Sequence, residues 1–88
     1  MNKEEIQKLK DKIIEFDNQD VYIELEQSIQ YHITIKKAKI IVSREKLIVS
    51  DEQEQDFIVE LHYLDNIEIE GNSIYMELSN DLKITLDY

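Results

Sequence analysis

The chain has 88 residues with one glycine, no proline, no cysteine and a formal net charge of −10. That length fills one hydrophobic core, so residues 1–88 are expected to form a single domain that no disulfide can staple. Absence of cysteine fits a reducing compartment, and no apolar run approaches the ~18 residues of a spanning helix. The N-terminus Met1-Asn2-Lys3-Glu4-Glu5 is too charged for a secretory leader, so the expected location is cytoplasmic, away from membranes.

In chain order, the first element is a helix over residues 3–17. Ile6, Leu9, Ile13 and Phe16 recur at helical spacing, and Ile14 is expected to widen the stripe. Asn2 suits the N-cap, Glu4 and Glu5 suit the positive end of the helix dipole, and Lys8, Lys10 and Lys12 follow where cations are better placed. Asp17-Asn18-Gln19-Asp20 then supplies turn-forming residues.

From residue 20 to 88 the period is two, which predicts an antiparallel sheet. Val21, Ile23 and Leu25 alternate with polar positions, as do Ile29, Tyr31, Ile33 and Ile35. A connection at Glu26-Gln27-Ser28 would pair Leu25 with Ile29 and Ile23 with Tyr31 on one face. Lys36-Lys37 breaks the alternation and marks a bulge or corner. The next hairpin turns at Ser43-Arg44-Glu45-Lys46, pairing Val42 with Leu47 and Ile40 with Val49. The same register pairs Ile41 with Ile48 on the opposite side, and Ile58 repeats this in the following strand. Apolar residues on both sides imply cover on both sides. The N-terminal helix is the expected cover, with another molecule as the alternative.

The closing segment is a three-strand meander from Ile67 to Tyr88. Ile67 and Ile69 face Met76 and Ile74 across Gly71-Asn72, and Ile74, Met76 and Leu78 face Leu86, Ile84 and Leu82 across Ser79-Asn80-Asp81. One face is wholly apolar. The other carries Glu68, Glu70, Tyr75, Glu77, Lys83, Thr85 and Asp87. The fold class expected from the whole pattern is mainly β (α+β): an N-terminal helix packed on a curled antiparallel meander of seven or eight strands, a half-open barrel being one such form.

Motifs that carry chemistry are missing. His32 and His62 lack the clustered ligands of a zinc site. Residues 51–56 (DEQEQD) resemble a calcium loop until Asp56 and His62 fall where that loop needs glycine and glutamate. Ser28, Ser43, Ser73 and Ser79 lie at turns for local hydrogen-bonding reasons, and a single glycine leaves no phosphate-cradling loop. No enzyme activity, cofactor or metal is expected.

Charge distribution is the informative feature. Residues 1–46 hold nine acids and nine bases, whereas residues 47–88 hold eleven acids and only Lys83. The basic run Lys36, Lys37, Lys39, Arg44 and Lys46 is outweighed at long range, so nucleic acid is not an expected direct partner. Asp51, Glu52, Glu54 and Asp56 in the loop, with Glu68 and Glu70 on the meander, form the candidate partner-binding set. Carboxylates two residues apart on a strand lie ~6.6 Å apart, a row broadly like successive phosphates.

In size, charge and lack of catalytic motifs the chain is similar in type to the small acidic inhibitors that phages deploy against restriction and CRISPR nucleases, although no motif carries the likeness. A helix before a bent antiparallel sheet also resembles Sm-like and PH-like domains. The Sm-like pattern expects glycines in its strands, and the PH-like pattern ends in a helix; this chain has neither feature. The expected function is a non-enzymatic binding protein whose acidic, nucleic-acid-mimicking face enters the basic groove of a nuclease or other DNA-binding protein. The alternative is a structural or oligomeric module, such as a homodimer, using the apolar face around Ile41, Ile48 and Ile58.

Overall fold

The computed structural model describes residues 2–53 and 55–88. Helix α1 (Lys3–Ile13) continues as one 3-10 turn, Ile14–Phe16. The Glu5 amide donates to Asn2 Oδ1 at 2.9 Å, satisfying a first-turn N–H that the helix itself leaves free. Leu9, Ile13 and Phe16 are fully buried, while Ile14 is 61% exposed and lies off the stripe. At ~100° per residue Ile14 already stands well round the helix from Leu9 and Ile13, and the 3-10 turn, at three residues per turn, brings Phe16 into line with Ile13.

Asp17 to Asp20 fasten the helix end to the sheet. Asn18 takes the left-handed conformation at φ 64°. Its amide donates to the Ala38 carbonyl at 2.7 Å, and the Ala38 amide returns a bond to the Gln19 carbonyl at 2.9 Å. Asp20 Oδ1 accepts from the Lys37 amide and Asp17 Oδ1 from the Ile40 amide. The four turn residues thus serve as acceptors and donors for the corner at Lys36-Lys37, where Lys37 itself has φ 50°.

That corner carries the chain from one sheet to another. Among the described residues are eight strands: β1 (Val21–Glu26), β2 (Gln30–Ile35), β3 (Lys39–Val42), β4 (Lys46–Ser50), β5 (Asp56–Glu60), β6 (Leu64–Glu70), β7 (Ser73–Leu78) and β8 (Lys83–Asp87). The protein is therefore mainly β with one N-terminal helix. The strands divide into a five-stranded sheet, ordered β2-β1-β8-β7-β6, and a three-stranded sheet, β3-β4-β5. Both are antiparallel, and they do not close into a barrel. The second crossing, from β5 back to β6, uses a 3-10 turn at Leu61–Tyr63 and a register shift between Leu64 and Asn66.

Registers in β3 to β8 follow the apolar alternation. Ile40 pairs with Val49, Val42 with Leu47, Ile67 with Met76, Ile74 with Leu86 and Met76 with Ile84. Gly71, at φ 58°, turns β6 into β7; a side chain there would meet nothing within 4 Å, so the need for glycine is conformational. The first hairpin differs from expectation by two residues. Leu25 pairs with Tyr31 and Ile23 with Ile33, not with Ile29 and Tyr31. A two-residue slip preserves the face, so periodicity alone could not separate the two registers. The observed one puts Val21 opposite Ile35, both buried, and leaves Ile29 in the loop.

One core unites the three layers. Leu9, Ile13 and Phe16 from the helix meet Val21, Ile23, Ile74, Met76, Ile84 and Leu86 from the large sheet and Leu47, Val49 and Val59 from the small one. The Phe16 ring meets Tyr88 edge-on at 4.5 Å between centroids. The helix therefore lies on the inner side of the sheets. It does not cover Ile41, Ile48 and Ile58, contrary to the sequence reading: Ile41 is 51% and Ile58 48% exposed. The helix stripe already has its partner in the shared core, so nothing remains of it for an outer face.

Candidate acidic face

Pairing of β8 with β1 extends the polar side of the closing meander across all five strands. Three cross-strand rows result. The first runs Thr34, Tyr22, Asp87, Ser73, Glu70; the second His32, Glu24, Thr85, Tyr75, Glu68; the third Gln30, Glu26, Lys83, Glu77, Asn66. This outer face thus bears the carboxylates Glu24, Glu26, Glu68, Glu70, Glu77 and Asp87 against the single ammonium of Lys83. Successive rows stand ~6.6 Å apart and adjacent strands ~4.8 Å apart, so the face is about 19 Å wide from β2 to β6.

Local bonds hold some of these groups. Gln30 Nε2 donates to Glu24 Oε1 at 2.6 Å across the β1–β2 pair. The Ser73 hydroxyl donates to Asp87 Oδ1. The Lys12–Glu15 ion pair and the contact of His62 with Glu60 both lie elsewhere. A depression of about 230 Å³ in the face is bordered by Glu24, Glu26, Glu68, Glu77 and Lys83. It is acid-lined, with Tyr75, Met76, Ile84 and Thr85 as its neutral members. Such a surface favours cationic groups by Coulomb attraction.

Among the described residues, the members of the candidate set do not converge. Glu68 and Glu70 stand on β6, the far edge strand of the acidic face. Asp51 and Glu52 lie beyond β4 of the small sheet, bordering a depression of about 330 Å³ with Thr34, Lys36 and Lys37. They face the basic corner near β2, some four strand spacings or ~19 Å from β6. Asp51 has a structural task as well: its Oδ1 accepts from the amides of Gln53 at 2.8 Å and Gln55 at 2.9 Å. Asp56 begins β5, exposed. Glu54 falls outside the described residues.

Sequence reasoning missed Glu24 and Glu26. They belong to a half-chain whose charges cancel, and only the non-local β1–β8 pairing brings them beside Thr85 and Lys83. The signal was present in part, because Tyr22, Glu24 and Glu26 occupy the polar phase of their strand. The histidines stay apart from one another: His32 borders a depression of about 140 Å³ with Glu24 and Asp87, and His62 Nε2 lies 3.9 Å from Glu60. Among the described residues no group of three His, Cys, Asp or Glu side chains is placed to hold a metal ion, and no helix is long and apolar enough to cross a membrane. No protein-family model, curated protein or solved structure matches the chain.

Proposed function

We propose that this is a non-enzymatic binding protein whose acidic sheet face occupies the basic groove of a nucleic-acid-binding protein, a nuclease above all, and so blocks it. The observation that carries the reading is the ratio on one continuous sheet face: six carboxylates to one lysine, fixed by backbone pairing. Holding like charges together opposes folding, so a surface of this kind is retained most readily where its field is used. The row Glu68–Glu70 on β6 and the row Glu24–Glu26 on β1 repeat at ~6.6 Å, a rigid series of anions that a phosphate-binding groove would accept. Glu77 and Asp87 fill the strands between them.

The test is competition. Purified protein is titrated into complexes of a labelled DNA oligonucleotide with each of a panel of basic DNA-binding proteins, nucleases included. Displacement of the DNA is expected for a subset of them, weakening steeply as salt rises toward about 0.5 M. Reversal of Glu68 and Glu70 to lysine should abolish displacement while the thermal melt stays intact. Displacement indifferent to both salt and charge reversal would overturn the reading, as would no displacement of any member.

A further inference from the structure

The outer face of the three-stranded sheet is built on a different plan from the acidic one. Its middle row is Ile41, Ile48 and Ile58, adjacent across β3, β4 and β5. Ile41 and Ile58 are half exposed and Ile48 is partly buried between them. A row above it runs Lys39, Ser50, Asp56, and a row below it includes Lys46 opposite Glu60. Two lysines and two carboxylates make this surface locally neutral on a molecule whose net charge is −10. Three β-branched apolar side chains in a row, flanked by charges, are the composition of an interface centre and rim.

We propose that this face is a homodimer interface, with a second copy of the chain as its occupant and the two-fold axis parallel to β4. The charge pattern selects both the partner and the axis. Lys39 and Asp56 stand at the two sides of the same row, about two strand spacings or ~9.6 Å apart. When two such faces meet about an axis along β4, left and right exchange. Lys39 then faces Asp56 of the second copy, and Asp56 faces its Lys39, while Ile48 meets its own counterpart and Ile41 meets Ile58; Lys46, on the axis strand, meets its own counterpart with the Glu60 of each copy one strand spacing to either side. An isologous contact requires this self-complementarity. A two-fold axis across the strands would instead set Asp56 against Glu60 of the second copy, like against like. Strands of facing sheets remain roughly aligned under the first arrangement, as in β-sandwich packing. The face itself is neutral, so it adds little to the repulsion between two copies of net charge −10.

The contact area is small, three strands wide, and falls below the ~1,200 Å² of a standard interface, so the dimer is a weak one. Sedimentation equilibrium over roughly 10 µM to 1 mM protein at about 0.15 M salt covers the expected range. A monomer–dimer equilibrium is expected for the full chain. Ile48→Glu should reduce association at least tenfold. Lys39→Asp and Asp56→Lys should each weaken it several-fold by placing like charges together. The double variant Lys39→Asp/Asp56→Lys should restore it to within about twofold of the original, since the exchanged pair is again complementary in both halves. Melting curves of each variant check that the exposed substitutions leave the fold intact. A protein that stays monomeric throughout overturns the proposal, and so does a double variant that associates no better than the single ones. The acidic face lies on other strands, so its competition test is unaffected by either outcome.

Discussion

Single residues decide where the helix ends and which of its isoleucines count as core. Ile13 and Ile14 are neighbours of the same type, yet Ile13 is fully buried and Ile14 is 61% exposed. The expected stripe was drawn wide enough to take in both, although at 3.6 residues per turn Ile14 stands ~100° round the helix from Ile13. Phe16, three residues on from Ile13, stays inside and packs against Tyr88. Phe16→Ala is expected to cost about 3–5 kcal/mol in urea denaturation, a large part of the total stability of a domain this small. Ile14→Ala is expected to stay within about 0.5 kcal/mol, as for an exposed side chain. Equal losses from the two would contradict the assigned boundary. Asp17 and Asp20 teach the same lesson from the polar side. Sequence marked them as turn formers, but their partners at Ile40 and Lys37 are more than fifteen residues away and no local pattern announces them.

At the scale of elements, hairpins with tight turns were legible and the closures between distant strands were not. The β6–β7–β8 meander follows its apolar alternation because short turns leave one register that keeps every apolar residue on one side. The β1–β8 pairing joins residues some sixty positions apart, and nothing in the spacing of Ile23 and Leu25 names Leu86 and Ile84 as their neighbours. Without that pairing Glu24 and Glu26 could not be placed on the acidic face, and the division into two sheets could not be drawn. The edges of the large sheet also differ in a way only the strand order exposes. Strand β6 bears Asp65, Glu68 and Glu70 and a register shift, all of which discourage a further strand. Strand β2 has no acid, lysine or arginine, and five of its six residues are exposed. Tyr31, 56% exposed, is the second residue of that unprotected edge. Tyr31→Lys is therefore expected to lower light scattering by concentrated protein on prolonged warming, with stability changed by no more than about 0.5 kcal/mol. Scattering equal to that of the original protein would show that β2 is not the aggregation edge.

For the whole molecule, charge segregation makes folding and binding respond to salt with opposite sign. Glu68 and Glu70 share one strand, Glu24 and Glu26 another, and Glu77 and Asp87 lie between, so the folded state crowds anions that the unfolded chain holds further apart. Screening relieves that repulsion. Raising salt from about 0.02 M to 0.3 M shortens the Debye length from roughly 20 Å to 6 Å, well below the width of the acidic face. Stability should then rise by about 1 kcal/mol, seen as roughly 4–8 °C in the thermal midpoint of a domain of this size. Attraction of the same face to a basic groove should fall over the same range. The two slopes share a cause, and charge reversal tests it. Glu24→Lys and Glu68→Lys together should raise the low-salt melting temperature and flatten its salt dependence, because they replace repulsion by cross-face attraction. If the melt of the original protein is flat in salt, the carboxylates do not interact across the sheet. The acidic face would then be a dispersed set of solvated groups with no collective field to offer a partner.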